Sequence, residues 1–360
     1  MKTYKNIIIG SGPSGLMCAN QINSKETLLI EKNFQLGGKI KVSGNGRCNV
    51  TNNKSIDQII NHVVCNGKFL YPALTNFGPQ NIIAFFQEND VKLKEEAHNK
   101  IFPVTNNSQD IIDALIKNLI IDIVTDFNVT LIEKKDNFFI INNMFKSKNL
   151  IIATGGTTFN HLGTTGDGYE FAKSFDHTIT PLFASETPLV SNDLLIQEKT
   201  FQGISLPDCT IEIKFNGKKK KTLTHDLLIT HFGLSGPLAL RASYFVNKAL
   251  QENKKVDIDI INYSNYPNKI KSYLIENELS DLTFNIVDTK GFKVAFVTSG
   301  GISLKEIDPR TYQSKIVENL FFIGEVLDIN AFTGGYNITS FLSQGHLCGQ
   351  YIMNRKKNYN

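Results

Sequence analysis

The sequence has no long apolar run and no paired cysteines. Its apolar stretches, such as residues 6–9 and 150–153, fall far short of the ~20 residues a helix needs to cross a bilayer. Five cysteines, Cys18, Cys48, Cys65, Cys209 and Cys348, are scattered without any C-x-x-C spacing. That argues against a disulfide framework and against a zinc or iron–sulfur site, and no metal is expected. No basic, apolar and small-residue leader opens the chain; residues 1–9 run straight into a strand pattern, so a soluble cytoplasmic protein is expected. A strong charge excess is missing too. The formal net charge is +4, and lysine and asparagine are plentiful everywhere, which reads as background composition and gives no reason to expect a nucleic-acid partner.

What is present is a globular mixture, 41% hydrophobic and 20% charged over 360 residues, enough for two domains or one with an insertion. Residues 3–9 form an apolar strand pattern ending at Gly10, residues 15–22 a short helical stretch with small residues, and residues 27–31 a second strand, as in a βαβ unit. Helices are expected at residues 80–88 and at 108–119, the second opened by Ser108, and a hairpin at residues 128–134 and 137–142. Residues 150–153 read as another buried strand. The style then changes. Residues 210–215 alternate at period two, Asn216-Gly217 supplies a two-residue turn, and residues 219–224 return. Residues 256–260 alternate likewise, and residues 237–250 are helical with Leu238, Ala242, Phe245 and Ala249 on one face. A parallel-sheet pattern resumes at Phe296, and residues 320–323 form one more buried strand. The expected organisation is therefore a discontinuous domain, 1–187 and 297–360, interrupted by a β-rich insert, 188–296. The lysines at 218–221 beside the Asn-Gly turn read as a solvated hairpin tip rather than a phosphate site.

Gly10-Ser11-Gly12-Pro13-Ser14-Gly15 is a G-x-G-x-x-G between a strand and a helix, the context in which this motif binds dinucleotides. Gly10 permits the tight turn, Gly12 lets backbone approach a pyrophosphate, and Gly15 lets helix and strand pack closely. The helix N-terminus offers free N–H groups to the phosphates. Glu31, ending the second strand, is placed to accept the ribose hydroxyls of an adenosine. Gly37-Gly38-Lys39 follows, an arrangement similar to that of FAD-binding flavoproteins. The polar stretch SGNGRCNVTN, residues 43–52, then suits a cofactor-lining loop: its glycines allow close approach, its asparagines offer donors and acceptors, and Arg47 can neutralise phosphate. Downstream, residues 320–325 are a strand ending in Gly324-Glu325, an acid placed for ribitol hydroxyls. Thr333-Gly-Gly-Tyr-Asn-Ile338 leads into a helix with Ile338, Phe341, Leu342, Gly345 and Ile352 inward. A helix beginning at Asn337 would aim its positive end at the flavin N1–C2=O edge.

These pieces together resemble one family, the aminoacetone-oxidase-like or 3-dehydro-bile-acid reductase-like NAD(P)/FAD oxidoreductases. The matching segments are GSGPSGLMCA, LGGKIKVSGNGRCNVTN, ATGG with GTTGDGYEFAKSFDH, THFGLSGPLAL, and TSGG through IGEVLDINAFTGGYNITSFLSQG; they run in order along nearly the whole chain. Fumarate-reductase flavoproteins share the ATGG and GDGY elements without this combination. The resemblance implies an α/β, Rossmann-like FAD-binding domain of the two-dinucleotide-binding type with an inserted, mainly antiparallel β domain. Motifs and resemblance place FAD against Gly10, Gly12, Pro13, Ser14, Gly15, Glu31, Lys32, Gly38, Lys39, Ser43, Gly44, Asn45, Arg47, Cys48, Asn49, Val129, Ala153, Thr154, Gly155, Gly324, Glu325, Gly335, Tyr336, Asn337 and Ile338. The chain departs from the family where Asn99-Lys100 stands for Gly-Arg before an apolar-Phe-Pro run, and in a shortened segment 261–297.

No second G-x-G-x-x-G occurs, so any NAD(P)H must reach the flavin without a nicotinamide domain of its own. Cys48 reads as a packing residue rather than a redox thiol, and His231 as a histidine fixing its loop rather than a proton donor. Tyr336 reads as an acid or a pocket wall. No catalytic residue is assigned, since flavin itself carries the hydride chemistry. The expected activity is FAD-dependent hydride transfer, NAD(P)H-linked, to a small molecule; an RNA-modifying flavoenzyme or an amine oxidase using dioxygen are the alternatives.

Overall fold

A computed structural model describes residues 1–261 and 263–355. The chain divides into two compact units, Met1–Leu182 with Gly300–Asn360, and Phe183–Ser299. The second is wider than the expected insert because it takes in a short antiparallel pair, Phe183–Ser185 with Val297–Ser299. The parallel pattern expected to resume at Phe296 therefore does not do so there; it resumes at Leu320–Phe322.

In the first unit, strands Asp122–Val124, Thr27–Ile30, Lys2–Ile9 and Phe145–Ile152 lie side by side and parallel. Phe145–Ile152 is longer than its apolar core suggests and divides its far edge. Phe145–Ser147 pair antiparallel with Phe138–Ile141, while Leu150–Ile152 pair parallel with Leu320–Phe322. Runs such as Ile7–Ile9 and Leu150–Ile152 are buried on both faces, which is why they read as continuous apolar stretches without alternation. The hairpin strand starts at Ile132, later than expected, because Asn142 turns back on residues 128–131: its Oδ1 accepts from the Thr130 and Leu131 N–H groups. Helix Ser108–Ile116 stops short of 119, and its cap is Asn107, whose Oδ1 accepts from Gln109 N at 3.0 Å. Ser108 instead donates to Lys41 O at 2.9 Å, tying this helix to Gly38–Val42.

Two helices frame the end of the parallel sheet. The N-terminal helix Pro13–Gln21 packs along the C-terminal helix Tyr336–Asn354. The contact is close because two positions of the C-terminal helix carry no side chain. A Cβ at Gly345 would collide with Ser14 O, and one at Gly349 would lie 2.9 Å from Cys18 O. Phe341, Leu342 and Ile352 are buried as the sequence pattern requires; Ile338 is half-buried.

The second unit is a closed antiparallel barrel in the order Leu189–Ser191, Gly233–Ser235, Lys218–Thr230, Ser205–Phe215, Val256–Ile260 and Thr283–Thr289, the last pairing back to the first. Its long hairpin turns at Asn216 and Gly217, both left-handed, as a two-residue turn demands. Helix Gly236–Gln251 packs on the barrel through Leu238, Ala239, Ala242, Val246 and Ala249, with Phe245 only half-buried. No described helix is long and apolar enough to cross a membrane.

Candidate functional site

The site is built at the C-terminal ends of the first unit's parallel strands. Gly10 has a left-handed backbone (φ 103°), and its N–H donates to Ile30 O at 2.8 Å, so the chain turns over the second strand. A Cβ at Gly15 would strike Gly10 O, and one at Gly10 would crowd Ala153 O. A Cβ at Gly12 would meet nothing within 4 Å. Two of the three glycines are thus required by packing, and the third leaves space in front of the helix. Gly12 is the N-cap, Pro13 opens the helix, no side chain caps it and its first turn holds no acid. The N-terminus is left open to an anion.

Glu31 is buried, and both its oxygens are engaged. Oε2 accepts from Ser11 N at 2.9 Å and Ser11 Oγ at 2.5 Å; Oε1 accepts from Asn33 N at 2.9 Å and Asn33 Nδ2 at 2.8 Å. Lys32 leaves that region for Asp167, 2.8 Å away. Gly37 is left-handed and caps the short helix Gly38–Val42, which contains Lys39. The Lys39 ammonium pairs with buried Glu325 and donates to Thr158 Oγ1 at 3.1 Å, so Gly38-Lys39 and Gly324-Glu325 meet although 286 residues separate the paired side chains.

Residues 43–49 form a tight loop with Gly44, Asn45, Gly46 and Cys48 all left-handed. Ser43 Oγ donates to Ile40 O at 2.8 Å, and Asn45 is exposed. Arg47 does not stand free for a phosphate. Its guanidinium lies 4.1 Å from the Phe102 ring centre and reaches both oxygens of Glu96 at 3.1 Å. Cys48 is fully buried, and burial pushes its thiol up to about 12, which keeps it protonated and unreactive. Asn49 is 8% exposed, and its Oδ1 has no hydrogen-bond partner among the described residues. Asn99 is left-handed (φ 60°), a conformation that asparagine tolerates better than most residues other than glycine. Lys100 begins the strand Lys100–Pro103.

On the C-terminal side, Gly324 is left-handed, sits against Ser14, and donates its N–H to Gln344 Oε1 at 2.8 Å. The helix begins one residue earlier than expected, at Tyr336, with left-handed Gly335 as an N-cap that has no side-chain hydrogen bond. A Cβ at Gly335 would lie 2.9 Å from Asn49 Oδ1. The unpartnered amide of Asn49 thus stands beside an uncapped helix N-terminus. Asn337 clamps the preceding turn by exchanging two hydrogen bonds with Ala331, 2.8 and 2.7 Å. Tyr336 is a wall rather than an exposed acid: it is 2% exposed, stacked on His62 at 4.3 Å, and accepts from Lys54 Nζ at 2.8 Å.

Ala153, Thr154 and Gly155 follow directly on strand Phe145–Ile152, Ala153 still bonded to Ile9 O at 2.8 Å. Thr154 Oγ1 and the Tyr169 hydroxyl are buried without partners among the described residues, and burial holds the Tyr169 hydroxyl well above its usual range. Val129 is buried in the core beside the hairpin. The sequence does not point to Ser11, Asn33, Gln344 or Lys54. Only Gln344 carries a recognisable signal, a long polar residue on the buried face of a helix.

The donor set fits FAD: a glycine turn with open space at Gly12, two uncapped helix N-termini, and unpartnered buried Asn49. Comparisons with known proteins agree. Residues 4–351 match the family described as HI0933-like protein Rossmann domain. The chain is 28% identical over 401 residues to a ribosomal RNA dihydrouridine synthase of Haemophilus influenzae, covering 97% of this chain and 98% of that one. It is 25% identical over 411 residues to a 3-dehydro-bile acid delta(4,6)-reductase of Clostridium scindens, again 97% and 98% covered. Among solved structures, 3-ketosteroid delta1-dehydrogenase from Sterolibacterium denitrificans superposes with a TM-score of 0.57 at 10% identity, over 99% of this chain and all of that one, a likeness of fold. The chain belongs to the HI0933-like protein Rossmann domain family, whose members are FAD-dependent oxidoreductases.

Proposed function

We propose that this protein is a reductase that saturates a carbon–carbon double bond conjugated to a carbonyl, with FAD as cofactor and NAD(P)H as donor. One observation carries the cofactor part. Two uncapped helix N-termini serve one elongated site: Ser14, in the first turn of one helix, abuts Gly345 of the other, and Gly345 lies nine residues beyond Tyr336. At 1.5 Å per residue the two positive ends are roughly 14 Å apart along the helix, suited to an extended FAD whose central pyrophosphate faces one end and whose flavin N1–C2=O edge, negative when reduced, faces the other. Asn49 adds a donor and acceptor beside the second end, and the Lys39–Glu325 pair lies between the strand ends.

The reaction class rests on the shared chemistry of the relatives' names. A dihydrouridine synthase and a delta(4,6)-reductase both saturate an alkene polarised by a carbonyl. Bound FAD supplies the hydride chemistry: NAD(P)H loses a hydride, the β-carbon gains one, and a proton adds at the α-carbon. This chain's residues hold the cofactor and its charge, and the buried thiol of Cys48 takes no part. The test is direct. Purified protein should carry flavin absorption, lose it on anaerobic mixing with NADH or NADPH, and regain it on addition of a conjugated enone or a uridine-containing RNA. Folded, colourless protein that refuses added FAD overturns the proposal. Flavin that stays oxidised with both nicotinamides removes the NAD(P)H part and favours an oxidase using dioxygen.

A further inference from the structure

We infer that Cys18 and Cys348 are an oxidisable thiol pair, and that the disulfide they form fastens the N-terminal helix Pro13–Gln21 to the C-terminal helix Tyr336–Asn354. Its bearing on function rests on the reading above: each helix carries one of the two N-termini given to FAD, so the bond governs how firmly the cofactor is held. The bond itself forms with or without FAD.

The two cysteines stand near opposite ends of the sequence, and the fold brings them together. The helices cross on Gly345 and Gly349. A Cβ at Gly345 would lie 3.1 Å from Cys18 N and one at Gly349 2.9 Å from Cys18 O, so the Cys18 backbone sits between the two glycines. Cys348 immediately precedes Gly349 and shares that crossing. Backbones this close leave the short span that two Cβ–S arms bridge. Both cysteines are fully buried, and burial, with the adjoining Cys18 thiol, holds the Cys348 thiol well above its usual range. The other three are engaged differently: Cys48 faces Ser43, Cys65 meets Asn330 Oδ1 at 3.0 Å, and Cys209 lies 3.9 Å from Thr210 O.

A third polar group completes the cluster. Tyr312 is fully buried, and its hydroxyl has no hydrogen-bond partner among the described residues. Burial raises that hydroxyl well above its usual range, and the nearby Cys348 thiol adds to the effect. The residue is kept there at a backbone cost, since its φ of 60° is left-handed and uncommon for a bulky side chain. Its ring meets Phe69 edge-on at 5.8 Å, and its carbonyl accepts from Phe322 N at 3.1 Å. An unpartnered buried hydroxyl costs stability; here it can donate to the thiolate that must form before the S–S bond does. In that step two S–H bonds break and one S–S bond forms. Two protons and two electrons pass to an external oxidant, a hydroperoxide going to alcohol and water or a diazenedicarboxamide to its hydrazine. Full burial makes closure slow, because the oxidant reaches the pair only when the helices part.

The test uses full-length folded protein, with and without FAD, oxidised by diamide or hydrogen peroxide. Remaining thiols are blocked in acid, and peptides are mapped by mass spectrometry without reduction. Wild type should yield a Cys18–Cys348 cross-linked peptide over hours, and dithiothreitol in denaturant should remove it. The oxidised protein should melt about 5 °C or more above the reduced one and release FAD at least about threefold more slowly. Cys18→Ala and Cys348→Ala should each lose the gain in melting, whereas Cys65→Ala should close at the wild-type rate. Tyr312→Phe should fold as well and close at least about threefold more slowly. The proposal is overturned by the absence of the cross-link in folded wild type, by a cross-link that forms only after denaturation, or by one that joins Cys65 instead. A Cys18–Cys348 bond that leaves melting and FAD release unchanged overturns the fastening, and an equal rate in Tyr312→Phe overturns the part given to the hydroxyl. Cross-link and melt are read on flavin-free protein as well, so a failure to bind FAD strikes the cofactor reading alone.

Discussion

The carboxylate of Glu31 holds Ser11 by two hydrogen bonds, 2.9 Å from its N–H and 2.5 Å from its hydroxyl. With Asn33 on the other oxygen, Glu31 fastens the glycine turn to the end of the second strand before any ribose is present. Glu31→Ala should therefore do two things. FAD affinity should fall by roughly 1.5–3 kcal/mol, the range for a lost charge-assisted bond. The cofactor-free protein should also melt earlier, because the buried Ser11 donors and the half-buried Asn33 donors lose their acceptor. Flavin retention on dilution and a melt of stripped protein separate the effects. An unchanged melt would mean that the turn holds itself.

Gly12 and Gly15 should answer differently to the same substitution. Gly15→Ala drives a methyl into Gly10 O inside a packed helix–strand contact and should cost about 1–3 kcal/mol of stability or more. Gly12→Ala meets open space, so the protein should fold with an unchanged melting temperature while FAD binding weakens tenfold or more. Equal FAD binding by wild type and Gly12→Ala would place the phosphates elsewhere.

What was legible in the sequence follows from which constraints are local. Gly10, Gly15 and the Asn216-Gly217 turn are dictated by backbone conformation and collision, so residue type alone reveals them. The inward face of the C-terminal helix is equally visible as a periodic pattern. The destination of a long side chain is not. Arg47 has the chemistry of a phosphate ligand, yet a strand partner 49 residues away, Glu96, and the Phe102 ring claim it. The pairing of Val297–Ser299 was illegible for a related reason: three buried residues fit a parallel or an antiparallel neighbour equally well, and the fold supplies Phe183–Ser185. Lys54 beneath Tyr336 depends on a turn that brings residues 282 apart together.

Cys48 lies in the middle of the cofactor loop and should be chemically silent. Its thiol is fully buried and pushed up to about 12, whereas Cys65 is half-buried with its sulfur 3.0 Å from Asn330 Oδ1. Iodoacetamide at pH 8 should label Cys65 in the native protein and reach Cys48 only after denaturation, as read by peptide mass spectrometry. Cys48→Ala should retain flavin reduction by the donor within about twofold, with a modest stability loss for the small cavity. Rapid native labelling of Cys48 would show that the loop opens.

His346 should make the protein sensitive to mild acid. Its ring stacks on Phe77 at 4.1 Å and nearly parallel, its Nδ1 lies 2.8 Å from Asn76 Oδ1, and Asn76 in turn donates to Gln350 at 2.8 Å. Burial lowers its pKa to about 4, against an unfolded value near 6.5. The native ring is therefore neutral where the unfolded one takes up a proton. Above pH 6.5 both states are neutral and stability from this group does not change. Between 6.5 and 4 the unfolded chain binds the extra proton, and stability falls by up to about 3 kcal/mol before levelling. Urea unfolding at pH 7.5 and pH 5 should show this loss in the wild type. His346→Phe, which retains an aromatic ring over Phe77, should show a loss smaller by about 2 kcal/mol. His177, also buried with its pKa lowered, supplies part of the remainder. Equal acid losses in the two proteins would clear His346 and leave His177 and the carboxylates as the source.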